Sequence, residues 1–561
     1  MASAMLQLMD LTALRAVLSD LRPRLLPSRF EKAQQPAPNT LQIGFRSLRG
    51  MAWLELSWQA DAPRLVQVPP PERQGAGSTL AQQFQHSLRL LALVDLYQDG
   101  YERVVEFRFA SRPGEAIQRV VVLELMGRHS NVLLLDEQRR VIALGRQVRD
   151  HQSRIRPIAT GDVYGPPPPL QGQPPQPEES FQRWRERLEL IPVSLKKALQ
   201  QTYQGMSPTL VEQLAGNLMT TPVNHIQTSE WEQLHLSWCL WLKCLAQESF
   251  CLQFEPNNRY RLWGTKQNES AGDLSLRLGR WYRQKLDQRS LEQVNEEVNQ
   301  RLKRWRLKEE TCLIDQQQRL QASANSSNLQ EKADALLCLR KPSRDQVEQA
   351  QKLYHRARKL RRSVSVLQER IQHHEQRLRL IEGSEAFLED LRMASWQDAA
   401  PRLSALQDLR HELEELLDQN QQTKGRRRKQ APTPQPLELI GPGGLVLQVG
   451  RNHRQNDWIS LRQARNGDLW FHAQECPGSH VVLKASCGLA DEEDLQLATD
   501  LAAHFSRARG NSHVPVVMVP IDQLQRIPGA GPGTVRHRGG EIRWGQPRRA
   551  EQQLADGQLL P

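Results

Sequence analysis

No two cysteines in this 561-residue chain are spaced C-x-x-C, and the seven present (Cys239, Cys244, Cys251, Cys312, Cys338, Cys476 and Cys487) are scattered through helical and strand patterns. That excludes a zinc ribbon and predicts reduced, mostly buried thiols. Long apolar runs are missing as well. The longest, "HLSWCLWLKCLA" from His235, contains Lys243 and falls well short of the roughly 20 residues that span a bilayer. The opening "MASAMLQLMDLTAL" lacks the basic segment and apolar core of a secretory signal, so a cytoplasmic location is expected. No Walker loop, no G-x-G-x-x-G after a strand and no H-E-x-x-H occurs, which argues against phosphate-loop, dinucleotide and zinc-protease chemistry.

What the chain does have is positive charge. Lys and Arg number 75 against 63 Asp plus Glu, a formal net charge of +12 that suits a polyanionic partner. The length predicts several units, each with its own core.

From Leu41 to Leu135 the runs "LQIGF", "MAWLELSW", "RVVEFRF", "RVVVLEL" and "NVLLL" read as strands, preceded by a helical spacing at Leu11, Leu14, Leu18 and Leu21. Leu80 to Tyr97 shows a comparable helical spacing. The first unit is therefore α+β, and it ends at "GPPPPLQGQPPQPEES", where proline favours an extended linker. Residues 181 to 265 read as helical, and "TYQGMSPTLVEQLAG" as helix, glycine turn and a second helix capped by Ser207 with Pro208 at its first position. Such a unit holds phosphates or serves as a plain connector.

Two long helices follow. Leu291, Val294, Val298, Leu302 and Trp305 form one apolar seam; Leu353, Ala357, Leu360, Val364, Leu367, Ile371, Leu378 and Ile381 form another. A softer stretch with Pro342 lies between them, so an antiparallel pair with an elaborated tip is predicted, the second helix extending roughly 40 Å or more at 1.5 Å per residue. His374 falls on the seam, where a polar residue sets register. From Lys352 to Arg379 there are nine basic residues, including Arg358, Lys359, Arg361 and Arg362, against the two acids Glu369 and Glu375. Solvated coiled-coil faces usually mix signs, so this one points to a polyanion. Beyond it, "KGRRRKQAPTPQP" reads as a flexible phosphate-binding tether or a soluble linker. The last unit alternates "GLVLQVG", "HVVLK", "VPVVMVP" and "EIRW" with one helix, "DEEDLQLATDLAAHFSRARG", ending at Gly510: again α+β.

In that unit "DLWFHAQECPGSHVVLK" concentrates chemistry. A Cys476 nucleophile beside His472 and His480 lacks an oxyanion loop, and the same three residues as zinc ligands carry a helical spacing that Pro477-Gly478 breaks. Recognition remains: Trp470, Phe471 and His472 as flat faces for bases, with Arg451, Asn452, Asn456, Ser479 and Lys484 as donors to phosphates and sugars. The competing reading makes "DLWF" core packing, with Asp468 and Ser479 capping turns. We read the stretch as a gripping surface on a strand, turn and strand.

"VGRNHRQNDWISLRQARNGDLWFHAQECPGSHVVLK" resembles the signature of the NFACT-R domain, and "LATDLAAHFSRARGNSHVPV" and "PGAGPGTVRHRG" its remainder. "YERVVEFRF", "LELMGRHSNVLLLDE" and "RPIATGDVYGPPP" resemble the NFACT-N domain, "YQGMSP" its helix-hairpin-helix neighbour, and "VEQAQKLYHRARKLRRSV" the start of the second coiled-coil arm. The resemblance covers essentially the whole chain and is to the family of bacterial RqcH, eukaryotic NEMF and the fibronectin-binding A-like proteins. It implies an α+β multidomain chain: an NFACT-N domain at 1–170, a helix-hairpin-helix domain at 178–268, a long antiparallel coiled-coil rod with tip at 273–422 and an NFACT-R domain at 432–561.

For function the resemblance implies a ribosome quality control factor, not an enzyme. Such a factor binds stalled large ribosomal subunits carrying peptidyl-tRNA and recruits charged tRNA, in bacterial members alanyl-tRNA, for untemplated tailing that marks the nascent chain for degradation. No cofactor or metal is implied; a small RNA-binding helper protein is an implied partner. The family's tRNA-gripping Asp-Arg pair, in its third-strand region, matches Glu102-Arg103, with Glu a departure that lengthens the arm. Arg128, His129, Ser130 and Asn131 are expected near that pair. RNA or ribosome contact is expected at Arg358, Lys359, Arg361 and Arg362 on the rod, and at Arg451, Asn452, Asn456, Asp468, Trp470, His472, Pro477, Gly478, Ser479 and His480. Alternatives are a surface adhesin, which needs display that the missing signal does not support; a glycosylase of the formamidopyrimidine type, which needs an N-terminal proline where this chain has Met1-Ala2-Ser3; and a scaffold with no RNA role.

Overall fold

The computed structural model describes residues 6–71, 77–149, 156–256, 258–264, 273–323, 326–417, 433–557 and 559. The basic run Lys424 to Lys429 lies outside them. The chain forms two compact units, residues 1–286 and 287–561. Among the described residues no helix is long and apolar enough to cross a membrane.

The first unit opens with helix α1 (Leu11–Leu25), whose first turn is closed by the Asp10 carboxylate accepting from the Ala13 N–H at 2.9 Å. Strands β1 (Ser28–Ala37), β2 (Thr40–Ser47), β3 (Gly50–Ser57) and β4 (Arg64–Val68) follow, then helix α2 (Thr79–Ser87). Strands β5 (Ala92–Tyr97), β6 (Val104–Ala110), β7 (Arg119–Glu124), β8 (Asn131–Leu135) and β9 (Val141–Leu144) complete one sheet, in the order β4-β3-β2-β1-β5-β6-β7-β8-β9. Neighbours run antiparallel throughout. Alternation of buried apolar residues such as Phe107 and Phe109 puts one sheet face against α1 in a single core.

The helical spacing of Leu80 to Tyr97 is only half right. The helix stops at Ser87, Leu90 turns the chain with φ +67°, and Ala92–Tyr97 joins the sheet between β1 and β6. Sheet pairing on both sides overrides a local period that fits either element.

Helices α3 (Phe181–Glu189), α4 (Leu195–Thr202), α5 (Pro208–Ala215) and α6 (Thr228–Gln247) form a second core around Trp184, Trp231, Trp238 and Trp241. As predicted, Ser207 caps α5, accepting from the Leu210 N–H at 2.9 Å, and Pro208 starts it. The helical reading of 181–265 misses one hairpin, β10 (Gln253–Glu255) with β11 (Arg259–Arg261). Helix α7 (Leu274–Ser323) contains the boundary between the two units.

In the second unit α7 is followed by α8 (Ser326–Leu337), α9 (Arg344–Met393) and α10 (Ala399–Leu417). Arg306 pairs with Glu385 at 2.6 Å and Glu309 with Arg377 at 2.8 Å, so residue number falls along α9 as it rises along α7. The pair is antiparallel, as the two seams predict. His374 meets the buried Glu309 at 2.6 Å on that seam. Helix α10 adds a third member, with Arg301 to Glu414 at 2.6 Å, and Leu406, Leu409 and Leu413 entering the same core as Val298, Leu302 and Ile381. At 1.5 Å per residue the 50 residues of α9 extend about 75 Å.

The rest of the unit is β12 (Leu437–Ile440), β13 (Val446–Val449), α11 (His453–Trp458), β14 (Leu469–Ala473), β15 (Val481–Leu483), α12 (Glu492–His504), β16 (Val514–Pro520), β17 (Leu524–Arg526), β18 (Val535–His537), β19 (Glu541–Gly545) and α13 (Pro547–Ala555). Six strands make a sheet ordered β12-β13-β15-β14-β16-β19. Helix α12 ends at His504 instead of reaching Gly510, because the Phe505 carbonyl accepts from the Ser479 N–H at 2.8 Å and Ser506 bridges to Gly478. Only Cys244 and Cys251 are buried; Cys239, Cys338 and Cys487 are exposed, which corrects the expectation of mostly buried thiols.

This domain is seated on the helices by His453. Its imidazole lies where a Cβ on Gly383 would come within 2.6 Å, and Nε2 is 2.9 Å from the Leu380 carbonyl. We expect Gly383→Ala to destabilise the second unit by about 1–3 kcal/mol through overpacking, read as a lower urea midpoint; an unchanged midpoint would show that His453 can yield.

Candidate nucleic-acid interface

In the first unit Tyr101, Glu102 and Arg103 lie in the turn between β5 and β6. Arg15 of α1 holds this turn, donating to the Gly100 carbonyl at 2.6 Å with its guanidinium 5.4 Å from the Tyr101 ring centroid. The helix-hairpin-helix turn closes on the same place. Gly205 has φ +78°, and a Cβ there would lie 3.0 Å from Tyr101 and Leu11 carbons, so only glycine fits. Ser207 then donates to the Asp10 carboxylate at 2.8 Å, so the cap of α5 bonds the cap of α1. Burial pushes the Asp10 carboxyl up, opposed by the Ala13 N–H, the Ser207 hydroxyl and the Arg103 charge.

Glu102 is half-buried and accepts from the Leu170 N–H at 3.2 Å, so its longer arm reaches the proline-rich linker. Burial raises its carboxyl, against the Leu170 N–H and Arg103. No hydrogen bond or ion pair to another described residue occupies the Arg103 guanidinium. The pair precedes the sixth strand, not the third, because β1, β4 and β5 escape a reading by apolar runs.

The expected neighbourhood of Arg103 and the "GRHSN" turn is present. The Leu125 N–H donates to the Arg103 carbonyl at 2.9 Å, and Glu124 pairs with Asn131 across β7 and β8. Arg128 and His129 are exposed. Ser130 and Asn131 are not available for RNA, which corrects their assignment. Both are buried: the Ser130 hydroxyl accepts from the Met126 N–H at 2.8 Å, and the Asn131 side chain bonds the Arg146 N–H and carbonyl, each at 2.8 Å. Arg146 itself, exposed and donating to the Arg128 carbonyl at 2.5 Å, was missed; it lies 15 residues beyond the motif and only the β8–β9 hairpin brings it back.

On α9, Arg358, Lys359, Arg361 and Arg362 are all exposed, as are Arg356, Arg370 and Arg379. Arg361 donates to the Gln330 side chain at 2.6 Å. Arg356, Arg358, Lys359, Arg362, Arg370 and Arg379 pair with no described carboxylate. Two of the nine cations are otherwise engaged: Lys352 with Glu348 at 2.7 Å, and Arg377 with the buried Glu309. The cationic face is therefore real but smaller than the count in the sequence.

The "DLWFHAQECPGSHVVLK" stretch is strand, turn and strand, with β14 pairing β15. Its side chains, however, overturn the reading as a gripping surface. Trp470 and Ser479 are 2 % and 1 % exposed, and Asp468 is fully buried. Trp470 packs with Ile459, Val482, Val517 and Val519, while Phe471 enters the core on the other sheet face. Asp468 caps the next turn, accepting from the Ser486 hydroxyl at 2.6 Å, the Arg465 N–H at 2.9 Å and Lys484 at 3.3 Å. Asn456 is buried between the Gly478 carbonyl and the His480 N–H, and Asn452 caps α11. Gly478 is buried and Pro477 half-buried, the turn resting on the end of α12.

The histidines stack on Trp470: His472 at 5.5 Å and nearly parallel, His480 at 5.0 Å and edge-on. Burial pushes His472 down to about 4 and His480 well below its usual value, and the His480 Nδ1 meets the Ser460 hydroxyl at 2.8 Å. Arg451 is also buried, its Nε without a hydrogen-bond partner, and burial beside Arg402 lowers it to about 10. Among the described residues no group of three His, Cys, Asp or Glu side chains is placed to hold a metal ion. The exposed cations of this domain are others, including Arg462, Arg507, Arg526, Arg536 and Arg538. The density of arginine in "TVRHRG" was the available signal.

Comparison with known proteins accords with this layout. Residues 10–342 and 341–430 match the NFACT N-terminal and middle domains, and residues 440–539 match the NFACT protein RNA binding domain. The chain belongs to the NFACT family. Among its relatives is the Rqc2 homolog RqcH of Streptococcus pneumoniae serotype 2, 25% identical over 560 residues, covering 94% of this chain and 95% of that protein. The Rqc2 homolog RqcH of Bacillus subtilis is 26% identical over 488 residues, covering 78% and 80%. Among solved structures, the C-terminal part of a fibronectin/fibrinogen-binding protein from Streptococcus suis is 28% identical, covering 46% of this chain and 96% of that one with a TM-score of 0.37.

Proposed function

We propose that this chain is a ribosome quality control factor that binds stalled large ribosomal subunits carrying peptidyl-tRNA and recruits charged tRNA, alanyl-tRNA in particular, for untemplated C-terminal tailing. The observation that carries the reading is the exposed cationic face of α9, whose six unpaired Arg and Lys side chains have no partner within the described protein. Its relatives' name, Rqc2 homolog RqcH, and the match to an RNA binding domain support it.

In this reading the chain positions and performs no covalent chemistry. The peptidyl-transferase centre of the large subunit makes each bond, in the cytoplasm, with a small RNA-binding helper protein as a further partner. Arg103, Arg128, His129 and Arg146 gather at one end of the first sheet as the tRNA grip, and Glu102 holds the linker beside them. Crosslinking of the protein in cells, followed by sequencing of bound RNA, tests this. Large-subunit RNA together with alanine tRNA is the expected yield; recovery of neither would refute the reading. A narrower test is Arg103→Ala, which is expected to deplete tRNA from the bound pool at least about fivefold while large-subunit RNA stays, since one arginine contact to a base is worth roughly 1–3 kcal/mol.

A further inference from the structure

Helix α11 does not end cleanly at Trp458. It passes into one π-helical turn, Ile459–Gln463, a rare geometry that often marks a functional place in a helix. Arg454, Trp458 and Arg462 follow one another at intervals of four and line one cleft of about 420 Å³, with Asp457 beside them. Across from them β17 brings Arg526 and the loop after it brings Pro532. Trp458 is half-buried: part of its indole packs on the core around Trp470 and Val519, and part lines the cleft.

Charge in the cleft is net positive after its own pairs are counted. Arg454 lies 3.3 Å from Glu415, and Asp457 adds one negative charge to the wall. Arg462 and Arg526 are exposed and paired with no described carboxylate. Two free guanidinium groups next to a fixed aromatic edge suit a phosphate attached to a flat base. The carboxylate makes the cleft poor for a bare phosphate and supplies an acceptor for a ribose hydroxyl or a base amino group. None of the residues first expected to contact RNA in this domain lines the cleft, and all of them but the half-buried His472 and Pro477 are buried, so the cleft is a separate place.

We infer that this cleft holds one nucleotide of single-stranded RNA, its base against Trp458 and its phosphates between Arg462 and Arg526. The inference rests on the proposed RNA-binding function and locates it. The test uses the full chain and a 12-nucleotide single-stranded RNA carrying 4-thiouridine. Ultraviolet crosslinking and mass spectrometry are expected to place adducts on the peptide containing Trp458. Trp458→Ala is expected to weaken binding about tenfold, and Trp458→Phe to restore most of it. The double variant Arg462→Gln with Arg526→Gln, both on exposed side chains, is expected to lower the slope of log affinity against log salt by about 1.4, two single-strand phosphate contacts. If the variants bind as the unaltered chain does and adducts lie elsewhere, the cleft is not the site and the RNA-binding function stands. If the unaltered chain holds no RNA even at low salt, both fall.

Discussion

Reversing four charges on α9, with Arg358, Lys359, Arg361 and Arg362 all changed to Glu, is expected to remove the protein from large ribosomal subunits in sedimentation. All four side chains are exposed and off the apolar seam. Glutamate has nearly the same helix propensity as lysine and arginine, so the helix itself is expected to persist. Arg361 alone has a protein partner, the Gln330 side chain, whose amide can donate to a glutamate instead. The effect therefore falls on binding. Each phosphate neutralised adds about 0.9 to the salt slope on duplex nucleic acid, so four lost contacts flatten it by about 3.6 and weaken association at least about a hundredfold near 0.1 M salt. Co-migration of the variant with subunits at wild-type levels would mean that α9 faces protein or solvent, not phosphate.

Acid is expected to unfold the second unit well before ordinary carboxylates titrate. Burial holds His453 and His472 down to about 4 and His480 well below its usual 6.5. A histidine depressed in the folded state takes its proton only on unfolding, so its stabilisation is present above pH 6.5 and is lost as pH falls toward 4. At about 1.4 kcal/mol per pH unit, His453 and His472 each account for about 3 kcal/mol over that window. Glu412 of α10 acts in the opposite sense. Its buried carboxylate accepts from the N–H groups of His453 at 3.1 Å and Arg454 at 2.5 Å, and burial raises it to about 7. Stability from that shift is present below about 4.5 and lost as pH rises to 7, offsetting about one histidine.

Asp468, held down by hydrogen bonds from Ser486 and Arg465 against burial, adds a loss of its own only below its ordinary value of 3.8, outside the histidine window. The balance is a net loss of at least about 3 kcal/mol between pH 6.5 and 4.5. Hydrogen exchange on peptides from 439–520 of the full chain, followed from pH 7 to pH 5 after correction for intrinsic rates, reads this directly. A protection that holds or rises on acidification would show that the histidines are not buried neutral. His472→Gln removes one titrating group and, with Glu412 already offsetting one of the three histidines, is expected to flatten the pH dependence by about half.

Much of the architecture was legible because periodicity is a local property. The antiparallel helices followed from two apolar seams, the helix-hairpin-helix turn from Gly205, Ser207 and Pro208, and five of nine strands in the first sheet from their apolar runs. β1 and β4 were not, since polar residues such as Lys32, Gln34 and Gln67 interrupt them, and β5 continued a helical spacing. Helix α10 as a third member of the bundle was not read either; its leucines match the seam only once the chain has turned back after Met393.

The site shows the same division more sharply. The sequence by itself determined that the chain is cationic, that α9 carries an excess of unpaired positive charge, and that aromatic and imidazole rings crowd the segment from Trp470 to His480. Whether those rings face solvent was decided only by tertiary structure. On a strand with one open face, every second side chain would be exposed; β14 is covered on both, with Phe471 under α12 and Trp470 under the turn at Ile459. Burial of that kind depends on residues dozens of positions away, which is why a motif rich in binding chemistry serves here as the packed support, and arginines outside it reach the surface.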